Sequence, residues 1–207
     1  NFLIGKPDSS LVYVIDFGFA KKYRSSRTGK HISYSKKGYF NGNLKYSSAK
    51  TMKGVSPSRR DDLESLGYMI IYFFNQKLPW ETFQSKSNNI LAQKIYELKK
   101  SIKMENLCIN MPEEMIIYMN YVKSLKFEED PNYNYLRDLF QNMLKKLSRS
   151  EKPHFSWINR PITQKDSDFL EKSFKKRRRS PFSKILNRFI NKSTLEAKMP
   201  KLQFTNN

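Results

Sequence analysis

One cysteine and two histidines are all that the chain offers to a disulfide or a soft-metal cage. Cys108 has no partner for an internal disulfide, and with only His31 and His154 beside it the cysteine-rich zinc sites and most histidine cages are excluded. Long apolar runs are missing too. The longest, Met69 to Phe74, has six residues against the roughly twenty that cross a bilayer, and no charged-then-apolar leader opens the sequence. The expectation is a protein of the cytoplasm or nucleus that neither spans a membrane nor is secreted. Acidic residues are scarce: nineteen Asp and Glu face thirty-nine Lys and Arg, a net charge of +20. Disordered acidic and acidic-tail classes are thereby excluded, and the expected partners are polyanionic, phosphorylated or acidic.

What is present is a core. The 207 residues are 38% apolar and include 15 Phe, 12 Tyr and 2 Trp, enough for one packed domain with a tail. The chain opens on Asn1 rather than Met, already in what reads as a strand, as a fragment or processed product would. Residues 1–5 and 11–15, separated by Lys6-Pro7-Asp8-Ser9-Ser10, read as a β-hairpin. Phe17 to Arg60 shows little periodicity and reads as a long structured loop of the kind that carries function. Leu63, Leu66, Ile70 and Phe73 then predict a helix from about Arg60 to Asn75 whose apolar second half is buried all round. Three further helices are predicted: around Ile90 to Ile102, around Met115 to Val122 after Pro112, and from Leu136 to Leu147 after Pro131.

Asp16-Phe17-Gly18 closes the hairpin, with Asn1 fifteen residues upstream at the start of the paired strand. A carboxylate and a side-chain carbonyl on neighbouring strand ends can converge on one divalent cation that bridges phosphates; the plainer reading is an Asp-x-Gly turn. Asp62 falls in the first turn of the Arg60 helix, where its plainer role is an N-cap worth about 1 kcal/mol.

Together these segments resemble the C-terminal lobe of a casein kinase I family Ser/Thr protein kinase. Asn1-Phe2-Leu3 resembles the end of the catalytic loop H-R-D-x-x-x-x-N, and Ile15 to Tyr23 the family's metal-binding segment. Ser58 to Tyr68, Leu78-Pro79-Trp80 and Tyr133 to Phe140 follow in family order, so the likeness runs from residue 1 to about 157. It implies a mainly α fold, a kinase C-lobe (1–157) with a short β-hairpin at its start, and a basic tail (158–207). It also implies ATP and Mg as cofactors, with Asn1 and Asp16 holding the metal and Asp62 bracing the catalytic loop. Lys45, and with less secure registration Lys94, would receive a substrate phosphate. No catalytic residue is expected in this chain, because the glycine-rich loop, strand lysine and catalytic-loop Asp lie upstream of Asn1 in the family. Gly42-Asn43-Leu44-Lys45-Tyr46 departs from the family's G-T-x-R-Y, placing Asn43 where a threonine usually bonds the catalytic carboxylate. The implied protein is a monomeric kinase of acidic or primed protein substrates, the 207 residues alone being inactive; the alternative is a non-catalytic phosphoprotein- or nucleic-acid-binding module derived from such a lobe.

Between Asp16 and Asp61 there are twelve basic residues and no acidic one, which reads as a receptor for phosphate or carboxylate groups. Interleaved aromatics would also suit single-stranded nucleic acid, but no nucleic-acid-binding motif accompanies them and that partner ranks behind. In the tail, the run Lys175 to Arg179 suits nuclear import or an anionic surface. Phe182, Ile185, Leu186, Phe189 and Ile190 predict an amphipathic helix over 180–192, for the lobe itself, a partner protein or an anionic membrane surface.

Overall fold

The structure, a computed structural model, describes residues 1–4, 11–36, 40 and 42–147. The tail, its basic run, the 180–192 helix and the 157 boundary lie outside the described residues. The described residues fall into two compact units, one holding residues 1–4 and 11–14 and the other residues from 15 to 147.

In the first unit, β1 (Phe2–Ile4) pairs antiparallel with β2 (Val12–Val14), with Leu3 opposite Tyr13. The second unit is helical: α1 (Ala49–Met52), α2 (Arg59–Asn75), a 3₁₀ turn over Pro79–Thr82, α3 (Asn88–Ser101), α4 (Met104–Leu107), α5 (Glu113–Ser124) and α6 (Tyr133–Leu147). The fold is therefore mainly α with a short hairpin at its start, as a kinase C-lobe-like segment requires. The four long helices start and stop within three residues of the spans that the sequence predicts.

Local chemistry sets the ends. Asp61 in the first turn of α2 accepts the Ser58 backbone N–H at 2.9 Å, so the helix start is closed by Asp61 and not by Asp62. At the other end Gln76 takes a left-handed φ of 59° and donates its N–H to Tyr72 O at 2.7 Å, the geometry of an αL stop. α5 carries Glu113 and Glu114 in its first turn and Lys123 in its last, each sign matched to the helix dipole.

Tyr68 and Ile71 of α2 pack into a core with Trp80, Ile95, Leu107, Met115, Met119 and Leu136. The second half of α2 is not buried all round, contrary to the pattern: Phe73 is 61% and Phe74 45% exposed. At 100° per residue Phe73 turns away from the face shared by Gly67 and Ile71, whereas Phe74 stays on that face but in the last turn of α2. Nor is 17–60 loop throughout. It contains α1, capped where Ser48 Oγ accepts the Thr51 N–H at 3.0 Å, and single bridges Arg24–His31 and Lys36–Val55.

Gly67 lets α2 approach α5 closely, since a Cβ there would stand 2.3 Å from Met119 Sδ and 3.0 Å from Tyr118 Cε1. Gly67→Val should therefore lower stability by about 1–3 kcal/mol through overpacking, measured by denaturant titration. A neutral or stabilising result would mean that α2 and α5 are not in this contact.

Candidate functional site

Asp16 stands just past β2 with φ at 63°, a left-handed conformation that non-glycine residues adopt at a cost and that recurs at functional sites. Its Oδ1 accepts the Gly18 N–H at 3.2 Å, which fixes the carboxylate while Oδ2 has no hydrogen bond among the described residues. Asp16, Phe17 and Phe19 are exposed. Asn1, in the other unit, is exposed as well. One carboxylate and one amide oxygen are hard donors that suit Mg but make no cage by themselves. Among the described residues no cluster of three Asp, Glu, His or Cys could hold a metal, so phosphate oxygens and water would have to complete the shell.

Asp62 is exposed, and its carboxylate has no hydrogen-bond partner among the described residues. The protein mass behind it, and after that the charge of Asp61, hold its pKa above the ordinary carboxylate value. It lines a cavity of about 520 Å³ together with Lys21, Lys22, Tyr23 and Arg59. Asp61 beside it is buried and committed, accepting from Ser48 Oγ at 2.5 Å and from the Ser58 N–H.

Lys45 has a different setting from the open receptor that the sequence implied. Its Nζ lies 2.6 Å from Glu81 Oε1 and 3.4 Å from the Tyr72 ring centroid. Burial works to lower its pKa, but the Glu81 hydrogen bond, with Tyr46, Tyr72 and the Glu81 charge, leaves it raised. Any phosphate reaching Lys45 has to compete with Glu81. The neighbouring Asn43 accepts the Lys45 N–H at 2.8 Å through Oδ1, so its side chain is turned back into its own loop. Lys94, on α3, is exposed and is not part of that contact.

The residue that sequence reasoning missed is Lys99. Fully buried in α3, it donates to Leu44 O at 2.8 Å, Lys45 O at 3.2 Å and Ser47 O at 2.7 Å. Its Nζ lies 4.8 Å from the Tyr68 ring and 4.6 Å from the Trp80 ring. Trp80 Nε1 adds a bond of 2.9 Å to Lys45 O. The loop that carries Lys45 is thus held from beneath. Burial pushes the Lys99 pKa down to about 7, with Glu64 opposing the shift and Lys123 adding to it.

Part of the basic face is structural as well. Arg24 and Arg59 both pair with Asp130, Arg59 stacks over Tyr23 with its guanidinium 4.4 Å from the ring centroid, and Arg60 donates to Leu125 O at 3.1 Å. These three cations fasten the 17–60 segment and the start of α2 to the α5–α6 connection. They are not all available to a substrate, as the uninterrupted run of positive charge implied.

Comparison with known proteins agrees with the motifs. Over 161 residues the chain is 41% identical to casein kinase I homolog 2 of Schizosaccharomyces pombe (strain 972 / ATCC 24843), covering 76% of this chain and 37% of that protein. Over 160 residues it is 41% identical to casein kinase I homolog 1 of the same organism, covering 76% and 36%. No protein-family model matches. The helical fold and the Asp16 turn define a protein-kinase C-lobe-like segment. Identity at this level across three quarters of the chain places it among the casein kinase I proteins, and it spans a little over a third of the length of the curated relatives it matches.

The Lys99 contacts can be tested through pH. Lys99→Met leaves Leu44 O and Ser47 O without this donor and Lys45 O with Trp80 Nε1 alone, and should cost about 2–4 kcal/mol. Because the folded-state pKa is lowered from 10.5 to about 7, the folded protein releases a proton that the unfolded chain keeps until near pH 10.5. The buried lysine is therefore most costly below pH 7, and its cost falls as pH rises. The stability advantage of the parent chain over Lys99→Met should widen between pH 7 and 9, by at most roughly 1.4 kcal/mol per unit. A pH-independent gap would show that Lys99 does not titrate there.

Proposed function

We propose that the chain is the C-lobe portion of a Ser/Thr protein kinase that transfers the ATP γ-phosphate to acidic or primed protein substrates. The observation that carries the reading is Asp16, held left-handed by its Gly18 hydrogen bond in a segment 41% identical to casein kinase I homologs. In this reading Asp16 and Asn1 hold Mg, which would bridge and neutralise the nucleotide phosphates. Asp62, its carboxylate unpaired among the described residues and facing a cavity, would accept backbone N–H groups of the catalytic loop. The 207 residues contain no glycine-rich loop, strand lysine or catalytic-loop Asp, so they would not transfer phosphate alone. In this reading the working protein acts in the cytoplasm or nucleus as a monomer.

A second reading rests on Asn43, which stands where the family's threonine hydroxyl donates to the catalytic carboxylate and whose side chain is turned back to accept the Lys45 N–H through Oδ1. It makes the lobe a non-catalytic phosphoprotein-binding module. Kinase assays on the full-length protein separate the two.

Asp16→Ala in the full-length protein should reduce phosphoryl transfer by orders of magnitude with the fold retained; near-normal activity would refute the metal assignment. For the substrate, Glu81→Gln keeps an acceptor for the Leu78 N–H, now bonded at 2.7 Å, but removes the charge that neutralises Lys45. It should lower KM for a primed peptide several-fold with little effect on an unprimed one, and Lys45→Glu should do the reverse. Equal effects on both peptides would assign Lys45 to general attraction instead of phosphate recognition.

A further inference from the structure

A second cavity, of about 350 Å³, opens between α1, α3 and α5. Its wall carries Lys36, Lys50, Lys53, Lys99, Lys100 and Lys123, against one carboxylate, Glu64. Glu64 Oε1 is already engaged, accepting from Tyr68 Oη at 2.7 Å and from the Ala49 N–H at 3.2 Å. Among the described residues none of the six lysines has an ion-pair partner, in contrast to Lys45 and Lys146, which do.

Lys99 is committed to its three carbonyls, but the other five keep donors to offer. Lys50 Nζ reaches Lys123 O at 3.1 Å, Lys123 Nζ reaches Lys99 O at 2.8 Å, and Lys53 Nζ reaches Gln93 Oε1 at 3.1 Å. Each ammonium has three N–H groups, so each of these retains two. Lys36 and Lys100 are exposed, and their side chains make no hydrogen bond among the described residues. Lys53 is also held over the Tyr96 ring, 4.1 Å from its centroid, which orders one wall in advance. Burial, and then the charge of Arg60, lowers the pKa of Lys50 against the opposing charges of Glu64 and Asp61, and burial lowers that of Lys123 against Glu64. Cations gathered around a concave, partly desolvated space with a single carboxylate among them repel one another, and a dianion placed there would offset both the repulsion and the desolvation.

We propose that this cavity is a binding site for a phosphate group, free or carried on a phosphorylated side chain. It is separate from the residues assigned to nucleotide and primed substrate, and it stands whether or not the full protein is a kinase, because binding is read without any transfer.

The test is a titration of the 207-residue chain with sodium pyrophosphate at low salt, by calorimetry and by NMR of the Ala49 methyl group, which lines the cavity. Binding should shift that resonance. Lys53→Glu and Lys100→Glu, both at positions that reach solvent, should each weaken it at least tenfold with the circular dichroism spectrum unchanged. Lys77→Glu, exposed beyond the far end of α2 and about 20 Å along that helix from Glu64, should change it less than twofold. A matching titration with a phosphoserine peptide distinguishes the sources. Loss of affinity for both ligands in the variants assigns the site to phosphorylated protein, and loss for pyrophosphate alone assigns it to a free phosphate compound. The proposal is overturned if pyrophosphate fails to bind at millimolar concentration, if Lys77→Glu weakens it as much as the cavity variants, or if Lys45→Glu abolishes binding while Lys53→Glu and Lys100→Glu leave it intact.

Discussion

One buried ammonium ties the loop of the candidate substrate site to the core. Lys99 collects the carbonyls of Leu44, Lys45 and Ser47, which the loop cannot satisfy within itself, and it does so between the rings of Tyr68 and Trp80. Burying a cation is costly. Leaving Leu44 O and Ser47 O without a donor would also be costly, and the two penalties are relieved by the same contact. The position of Lys45 above α3, and hence its pairing with Glu81, follows from that arrangement.

A second set of constraints fixes the rest of the segment ahead of α2. Asp61 joins Ser48 to Ser58, Glu64 joins Ala49 to Tyr68, and Asp130 draws in Arg24 and Arg59. A stretch with almost no secondary structure of its own is thereby held by side chains of α2 and of the α5–α6 connection. Its basic residues fall into two groups. Arg24, Arg59 and Arg60 are structural fasteners, whereas Lys36, Lys50 and Lys53 face a cavity with donors to spare. Charge alone does not separate these groups; the difference lies in what each side chain reaches.

The long helices were legible because twelve or more residues of 3.6 periodicity outweigh local noise. α1, α4 and the 3₁₀ turn, of four residues each, are too short to show a period. The Asp16 turn was legible as a motif, but its left-handed φ was not. Lys99 was hidden beside Lys100, identical in type and one residue along. A signal did exist: Lys99 lies four residues after Ile95, on the face that the apolar stripe of α3 buries. Glu81 could not be matched to Lys45 from sequence, since thirty-six residues separate them and no local rule pairs side chains at that distance. Asp61 and Asp62 were interchangeable as letters, and only the backbone shows that the first is buried in the cap while the second is exposed toward the cavity.

The dependence of the loop on Lys99 can be measured directly by amide hydrogen exchange. The reporters are the N–H groups of Lys45 and Ser47, which donate to Asn43 Oδ1 and Asn43 O at 2.8 and 3.0 Å. In the parent chain they should exchange slowly. In Lys99→Met they should exchange at least tenfold faster while amides in the middle of α2 and α5 keep their protection. Unchanged protection at Lys45 and Ser47 in a folded Lys99→Met chain would contradict the claim that this one ammonium holds the loop in place.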